Sequence, residues 1–349
     1  MTEVAPGRLG GVPSVSPFRA LRYDDAVVGP LGALVAPPYD VIDDEQRRGY
    51  LERSPYNVVH LTLPDTADDA ARDLQVWREQ GVLREEDPAL WFVAQDYVGP
   101  DGVARTREGI AGSIDVTPYA AGEVLPHERT HAGPKEGRLR VLRATRAQLE
   151  PIFLLYDGDP AVERPDGEPD IDVEESDVRT RVWRLGSGGI DLPGPLLIAD
   201  GHHRYETAVA FREEDPAATR TFAVLVSSRS PGVSIFPTHR IARTLTHEPP
   251  VADENGGLVV YRAGEERPVA SEEELDALEV ERYTTDVAYT PYADEARAAV
   301  DRGEAEAAFL VRAPTVEQVR AFATRGETMP QKSTFFYPKL TSGLLFHPV

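Results

Sequence analysis

An α+β fold is predicted by three observations. Segments 90–97, 151–156 and 221–227 are short and apolar enough for strands, whereas 67–80 and 138–149 carry helical spacing. At 195–208 an apolar run breaks into Asp200-Gly201-His202-His203-Arg204 and continues as a helical pattern. The 349 residues, 41% hydrophobic and 28% charged, have the composition of a soluble globular protein with room for two or three cores.

In chain order, a first block sets Pro17-Phe-Arg-Ala-Leu-Arg-Tyr23 ahead of Leu34-Val-Ala-Pro-Pro-Tyr-Asp-Val-Ile42. Pro37 and Pro38 hold the backbone extended, so Tyr39 and Asp40 project from a stiff loop, although a solvated turn explains them equally well. Ala70, Leu74 and Trp77 then recur at helical spacings, and Gly81 is a stop signal. The strand at 90–97 is followed by the turn Gly99-Pro-Asp-Gly102 and a pairing partner at 109–114.

A second block opens near Val116 and holds Pro126-His-Glu-Arg-Thr-His131, the helix at 138–149 and the strand at 151–156. Residues 157–177 are acidic, contain three prolines and show little periodicity, so a surface loop is expected there. Strands are expected again at 182–185, 221–227 and 233–240. Further on, 307–312 is strand-like, and Thr315-Val-Glu-Gln318 has capping-box spacing before a helix that stops at Gly326. The run from Met329 to Gly343 mixes hydroxyls, two lysines and aromatics with turn residues. It suits the wall of a site, with a terminal strand packing Phe335 and Tyr337 as the alternative. These blocks divide the chain into 1–115, 116–240 and 241–349.

The chemistry is expected at 195–208. Leu196, Leu197 and Ile198 make the continuous run of a strand buried on both faces, a pattern that a buried helix shares. Gly201 permits a tight turn or a close approach to a ligand. Tyr205, Ala208, Val209 and Phe211 line one side of a helix whose first turn holds the polar residues. Helix N-termini expose unpaired N–H groups and a positive dipole end, to which His202, His203 and Arg204 add donors for phosphate or carboxylate oxygens. Asp200 suits a metal ion or a substrate ammonium. The structural alternative has Asp200 capping the helix, the histidines packing, and Arg204 paired with an acid.

Composition excludes several classes. The absence of cysteine removes disulfides, thiolate metal sites and cysteine nucleophiles. A net charge of −22 opposes DNA and anionic membranes, no apolar run is long enough to span a bilayer, and the N-terminus lacks the regions of a signal peptide; a cytoplasmic location is expected. Nothing in the sequence specifies an oligomeric state. Arginine outnumbers lysine by 34 to three, and Lys135, Lys332 and Lys339 all fall within motif-like blocks, where a compact point charge serves better than a planar fork. His127-Glu-Arg-Thr-His131 matches the H-E-x-x-H zinc pattern, but Pro126 precedes it and Gly133-Pro134 is expected to end any helix at once, so a zinc hydrolase is the lesser alternative.

Together the blocks Pro17–Tyr23, Val35–Val41, Pro126–Thr130, Ile198–Thr207 and Met329–Leu340 resemble the prokaryotic family known as domain of unknown function 1015. The order Pro-His-Glu turn, helix, Pro-Ile strand, then strand and Asp-Gly-His-His-Arg helix is also similar to free-serine kinases built on the ParB/sulfiredoxin fold. That resemblance implies a central ParB/sulfiredoxin-like domain at 116–240, with terminal α/β segments packed around it and closing over its cleft. It further implies transfer of a phosphoryl group from ATP or ADP, with Mg²⁺, to a small hydroxyl compound, free L-serine foremost. Carried over by motif, Glu128 would be the general base, with Asp200 and His202 catalytic. Gly201, His203, Arg204, Lys135 and Lys332 would hold the nucleotide phosphates, and His127, Tyr39 and Asp40 would face the substrate. No protein-held metal is expected. Phosphoryl transfer depends on positioning and positive charge more than covalent chemistry, and the chain has no Walker A lysine motif or kinase glycine loop. A non-catalytic nucleotide-binding sensor is the other alternative. A DNA-partitioning role is opposed by the charge, and sulfiredoxin chemistry by the missing cysteine.

Overall fold

In the computed structural model, which describes residues 13–128, 132–252 and 257–349, the run Leu196–Asp200 is a strand. Leu197 and Ala199 enter one hydrophobic cluster while Leu196 and Ile198 enter another, so both faces of the strand are sealed. It belongs to an eight-stranded sheet made of β1 (Trp91–Val98), β2 (Ala104–Asp115), β3 (Val124–Leu125), β4 (Ile152–Tyr156), β5 (Ile171–Glu175), β6 (Val178–Arg184), β7 (Leu196–Asp200) and β8 (Arg220–Ser227). The spatial order is β3-β7-β4-β8-β2-β1-β6-β5. The β3–β7 and β4–β8 pairs are parallel and the others antiparallel.

One face of this sheet meets α1 (Asp44–Arg53), α2 (Ala67–Glu79) and α3 (Ala132–Thr145), whose Tyr50, Leu74, Trp77 and Val141 join Phe153 and Leu155 in the largest cluster. On the other face Tyr205 of α4 (His202–Glu214) packs with Ile110, Leu154 and Ile198. A second sheet, with its own apolar cluster, uses β10 (His239–Ala242), β11 (Leu258–Arg262), β12 (Glu265–Val269), β13 (Val287–Thr290) and β14 (Ala307–Leu310) in the antiparallel order β12-β11-β14-β10-β13. Helices α5 (Asp276–Glu281) and α6 (Ala293–Asp301) accompany it, whereas α7 (Val316–Thr324) begins at the expected Thr315–Gln318 capping box and sends Val319, Phe322 and Ala323 into the first sheet's largest cluster. The fold is α+β.

The C-terminal segment returns to the first sheet. β15 (Phe335–Tyr337) pairs with β9 (Ser234–Phe236), Ser342 bridges Ala36, and Phe346 exchanges both backbone hydrogen bonds with Leu21 at 2.9 Å. Leu344, Leu345 and Phe346 lie in the same cluster as the N-terminal helices.

Several expectations are corrected. The helix placed at 138–149 runs instead over Ala132–Thr145, because Gly133 and Pro134 sit in its first turn, where a missing N–H costs nothing. It ends before Arg146 in a left-handed conformation at φ 52°, and Ala147–Gln148 pairs with His347–Pro348. The acidic stretch 157–177 is not loop throughout: Ile171 and Val173 point inward and Asp172 and Glu174 outward along β5. Ser176 and Asp177, both at positive φ, turn it into β6, as a tight hairpin requires. The sheet crosses the boundary drawn at 116, since β1 and β2 pair with strands from the central segment, and β10 straddles the one at 240. No helix of the described residues is long and apolar enough to cross a membrane.

Candidate active site

β7 ends at Asp200, Gly201 takes φ 95°, and α4 begins at His202. Only glycine adopts that backbone cheaply, and a Cβ there would lie 3.0 Å from Arg204 Nε. Gly201, the N-cap residue, has no side chain with which to bond the first N–H groups of α4, whose positive dipole end suits an anion. Asp200 therefore does not act as the cap. One of its oxygens accepts from Lys339 Nζ and the other from Arg204 Nη2, while Arg204 Nη1 donates to the Pro151 carbonyl. Burial alone would raise the Asp200 carboxyl, but Lys339 and Arg204 outweigh it and hold the group well below the usual carboxylate range.

Behind Arg204 lies Glu150, which accepts from the Tyr39 backbone N–H at 3.0 Å and from Ser342 Oγ at 2.9 Å. It thereby ties the N-terminal loop and the C-terminal segment to the start of β4. Burial raises its pKa against the opposing pull of Arg204 and Arg138. The Arg138 guanidinium stacks on the Tyr39 ring at 4.2 Å.

Glu128 faces this arrangement. Thr334 Oγ1 donates to Glu128 Oε1 at 3.3 Å and lies 2.9 Å from His127 Nε2. Burial raises the Glu128 pKa, while Lys339, Lys332 and the Thr334 hydroxyl pull against it. His127 is fully buried, and desolvation pushes it down to about 4. Its backbone N–H donates to His202 Nε2 at 3.3 Å, which leaves the His202 proton on Nδ1. Burial and the neighbouring His127 hold His202 well below its ordinary pKa, so both rings are neutral at pH 7 and serve as hydrogen-bonding groups.

These groups enclose a cavity of about 630 Å³, a volume suited to a nucleotide-sized ligand. The second sheet contributes Tyr289 and Thr290, and the C-terminal segment contributes Lys332, Thr334, Phe335 and Lys339. Lys332 sits at φ 56°. The carbonyls of Gln331 and Lys332 accept from the buried Arg240 Nη2 at 3.4 and 3.3 Å, and the same guanidinium binds the Thr238 carbonyl. Of the three lysines, Lys135 and Lys339 form ion pairs among the described residues and Lys332 does not.

Tyr39, Asp40, Glu128, Asp200, Gly201, His202, His203, Arg204 and Lys332 all line this cavity. His127 lies beneath it, against the His202 ring at 4.7 Å. Lys135 is elsewhere: on α3 it pairs with Glu206 of α4 at 3.7 Å and does not reach the lining. His127 and Glu128 are outside any helix, contrary to zincin geometry, and His131 falls outside the described residues. Among the described residues no group of three His, Asp or Glu could hold a metal ion. Lys339, Thr334, Glu150 and Arg240 were not among the expected site residues. The scarcity of lysine pointed to Lys339; the others meet site or C-terminal residues through contacts more than 90 residues apart in the chain, which no local pattern announces.

Residues 15–252 match the model of a family described as "Protein of unknown function (DUF1015)", and the chain belongs to that family. No curated protein matches the chain. Solved structures similar to it include a conserved hypothetical protein from Pyrococcus furiosus, at 16% identity and a TM-score of 0.36, covering 65% of this chain and 90% of that one. A free serine kinase in complex with AMP is similar at 18% identity and a TM-score of 0.39, over 65% and 86% of the two chains. SbnI with a C-terminal truncation from Staphylococcus aureus is similar at 12% identity and a TM-score of 0.41, over 66% and 84%.

Proposed function

We propose that the cavity carries out phosphoryl transfer from ATP or ADP to a small hydroxyl compound, with free L-serine the leading acceptor on the motif resemblance. The observation that carries this reading is the convergence, on one cavity, of the N-terminus of α4, the Lys332 and Lys339 ammoniums, and a buried carboxylate, Glu128. The N–H groups of α4 and the two lysines supply fixed positive charge for phosphate oxygens. Glu128 supplies the proton acceptor that a hydroxyl nucleophile needs, and its raised pKa makes it a better base than a solvated glutamate.

In this scheme the acceptor oxygen bonds to the terminal phosphorus as the bond to the bridging oxygen breaks, and the hydroxyl proton passes to Glu128. Neutral His202 donates a hydrogen bond and carries no charge. Asp200 remains ionised and orients Lys339 and Arg204; Arg204, held by Asp200 and Pro151, shapes the cavity floor. Asp40, on the lining, suits the ammonium of an amino-acid acceptor. With both Asp200 oxygens occupied, Mg²⁺ would arrive with the nucleotide phosphates, whose charge it offsets, with Asp40 and Glu128 as the nearby carboxylates.

The test is incubation with L-serine, Mg²⁺ and ATP or ADP in separate reactions, with O-phosphoserine detected by mass spectrometry. Glu128→Gln is expected to lower product formation by roughly 10²- to 10⁴-fold while nucleotide-dependent thermal stabilisation persists. Wild-type turnover in that variant would remove Glu128 as the base. Stabilisation by nucleotide without product from any small hydroxyl acceptor would make the protein a sensor.

A further inference from the structure

We propose that Thr334 is itself a phosphoryl acceptor, so that the protein phosphorylates its own C-terminal segment when no small hydroxyl substrate is bound. This inference rests on the phosphoryl-transfer reading and deepens it by naming a second acceptor at the same site.

The Thr334 hydroxyl occupies the position that a substrate hydroxyl would take. It lines the cavity and donates to Glu128 Oε1 at 3.3 Å, the interaction required of a nucleophile about to lose its proton to that carboxylate. On its other side is His127 Nε2 at 2.9 Å. With the proton on Nε2, His127 donates to Oγ1, directs the hydroxyl hydrogen to Glu128, and leaves one oxygen lone pair for phosphorus. Thr334 immediately precedes β15, which is paired to β9, so the hydroxyl is presented from an anchored backbone. Lys332 and Lys339, on either side of it in the chain, line the same cavity and offset charge on the transferring oxygens.

Neighbouring hydroxyls lack this arrangement. Ser333 Oγ is buried and donates to the Pro330 carbonyl at 2.6 Å, and Thr341 Oγ1 pairs with Thr180 Oγ1 at 3.0 Å. Thr334 is the hydroxyl of this segment that the base holds.

The step requires a nucleoside di- or triphosphate as co-reactant. Thr334 Oγ1 forms a bond to the terminal phosphorus, the bond from that phosphorus to its bridging oxygen breaks, and the electron pair leaves with the nucleotide shortened by one phosphate. Glu128 takes the hydroxyl proton. A free serine must displace Thr334 from Glu128 to react, so the two acceptors compete.

The test uses the full chain, pretreated with phosphatase and repurified, then incubated with Mg²⁺ and ATP or ADP in the absence of serine. Intact mass and peptide mapping are expected to show one added phosphoryl group at Thr334. Glu128→Gln should reduce that label by about 10²-fold or more, and added L-serine should suppress it while O-phosphoserine accumulates. Thr334→Ser should retain the label and Thr334→Val should lose it; mapping on the wild-type chain decides the matter even if the valine variant misfolds. O-phosphoserine formation with no label at Thr334 would overturn this proposal and leave transfer to serine standing. Label confined to another residue would overturn it as well. Neither product from either donor would sink both readings together.

Discussion

Glu128 and Asp200 lie on one cavity and are shifted in opposite directions, because their partners differ. Asp200 has a cation on each oxygen, whereas Glu128 has one hydroxyl and more distant lysines. On the proposed reading Glu128 is the base and acts only when deprotonated, so kcat/KM for transfer should fall as pH drops through its raised pKa. The acid limb is expected above the ordinary value of 4.5 and should vanish in Glu128→Gln; a pH profile at saturating nucleotide checks it. Stability runs the other way for Asp200. Its lowered pKa contributes stability that is present above 3.8 and lost as pH falls through the folded value. Lys339→Met removes half of that support, and leaving the buried carboxylate with a single cation should cost about 1–3 kcal/mol, read by urea denaturation at pH 7. The same variant should weaken nucleotide binding, measured by calorimetry; unchanged affinity would remove Lys339 from the phosphate site. The Asp-Gly-His-His-Arg run was legible in the sequence because its polar groups stand in a row at a strand end. Thr334 was not, since a threonine acquires meaning only from the carboxylate set beside it.

At the level of elements, the turn from β7 into α4 depends on Gly201. Gly201→Ala forces a non-glycine residue to φ 95° and brings its Cβ against the Arg204 guanidinium, for an expected loss of about 1–3 kcal/mol. Chemical denaturation tests this, and a loss under about 0.5 kcal/mol would show that the turn relaxes freely. Elements whose signals are local were readable. Thr66 caps α2 before Ala70, Leu74 and Trp77, and Thr315 and Gln318 form both halves of their capping box. β5 was hidden because Asp172, Glu174 and Glu175 gave the stretch an acidic, loop-like composition, while its alternation rests on Ile171 and Val173. The start of α3 was hidden by Gly133 and Pro134, which break a helix in its middle yet are tolerated in its first turn.

For the whole molecule, the decisive contacts are those between distant parts of the chain. Phe346 is fully buried among residues of the N-terminal segment and pairs with Leu21 through both backbone hydrogen bonds. Phe346→Ala should therefore cost about 3–5 kcal/mol, visible as a lower denaturation midpoint. Because the same segment carries Lys332 and Lys339, hydrogen exchange at 331–339 should rise in that variant. Protection equal to wild type would show that the cavity wall is anchored independently of the core. The sequence blocks marked which segments matter, but strand pairing across 116 and 240 depends on register between remote segments, which no local pattern encodes.

Lys339 and its partner Asp200 are 139 positions apart. During synthesis, a ribosome therefore makes β7, the Gly201 turn and α4 long before it makes the lysines and the threonine that complete the cavity. A nascent chain halted before residue 331 would hold Glu128, Asp200 and Arg204 but neither Lys332 nor Lys339, the two ammoniums that line the cavity. On the proposed reading, a chain shortened before residue 331 should therefore show no phosphoryl transfer, although it keeps Glu128 and the Asp200–Arg204 pair.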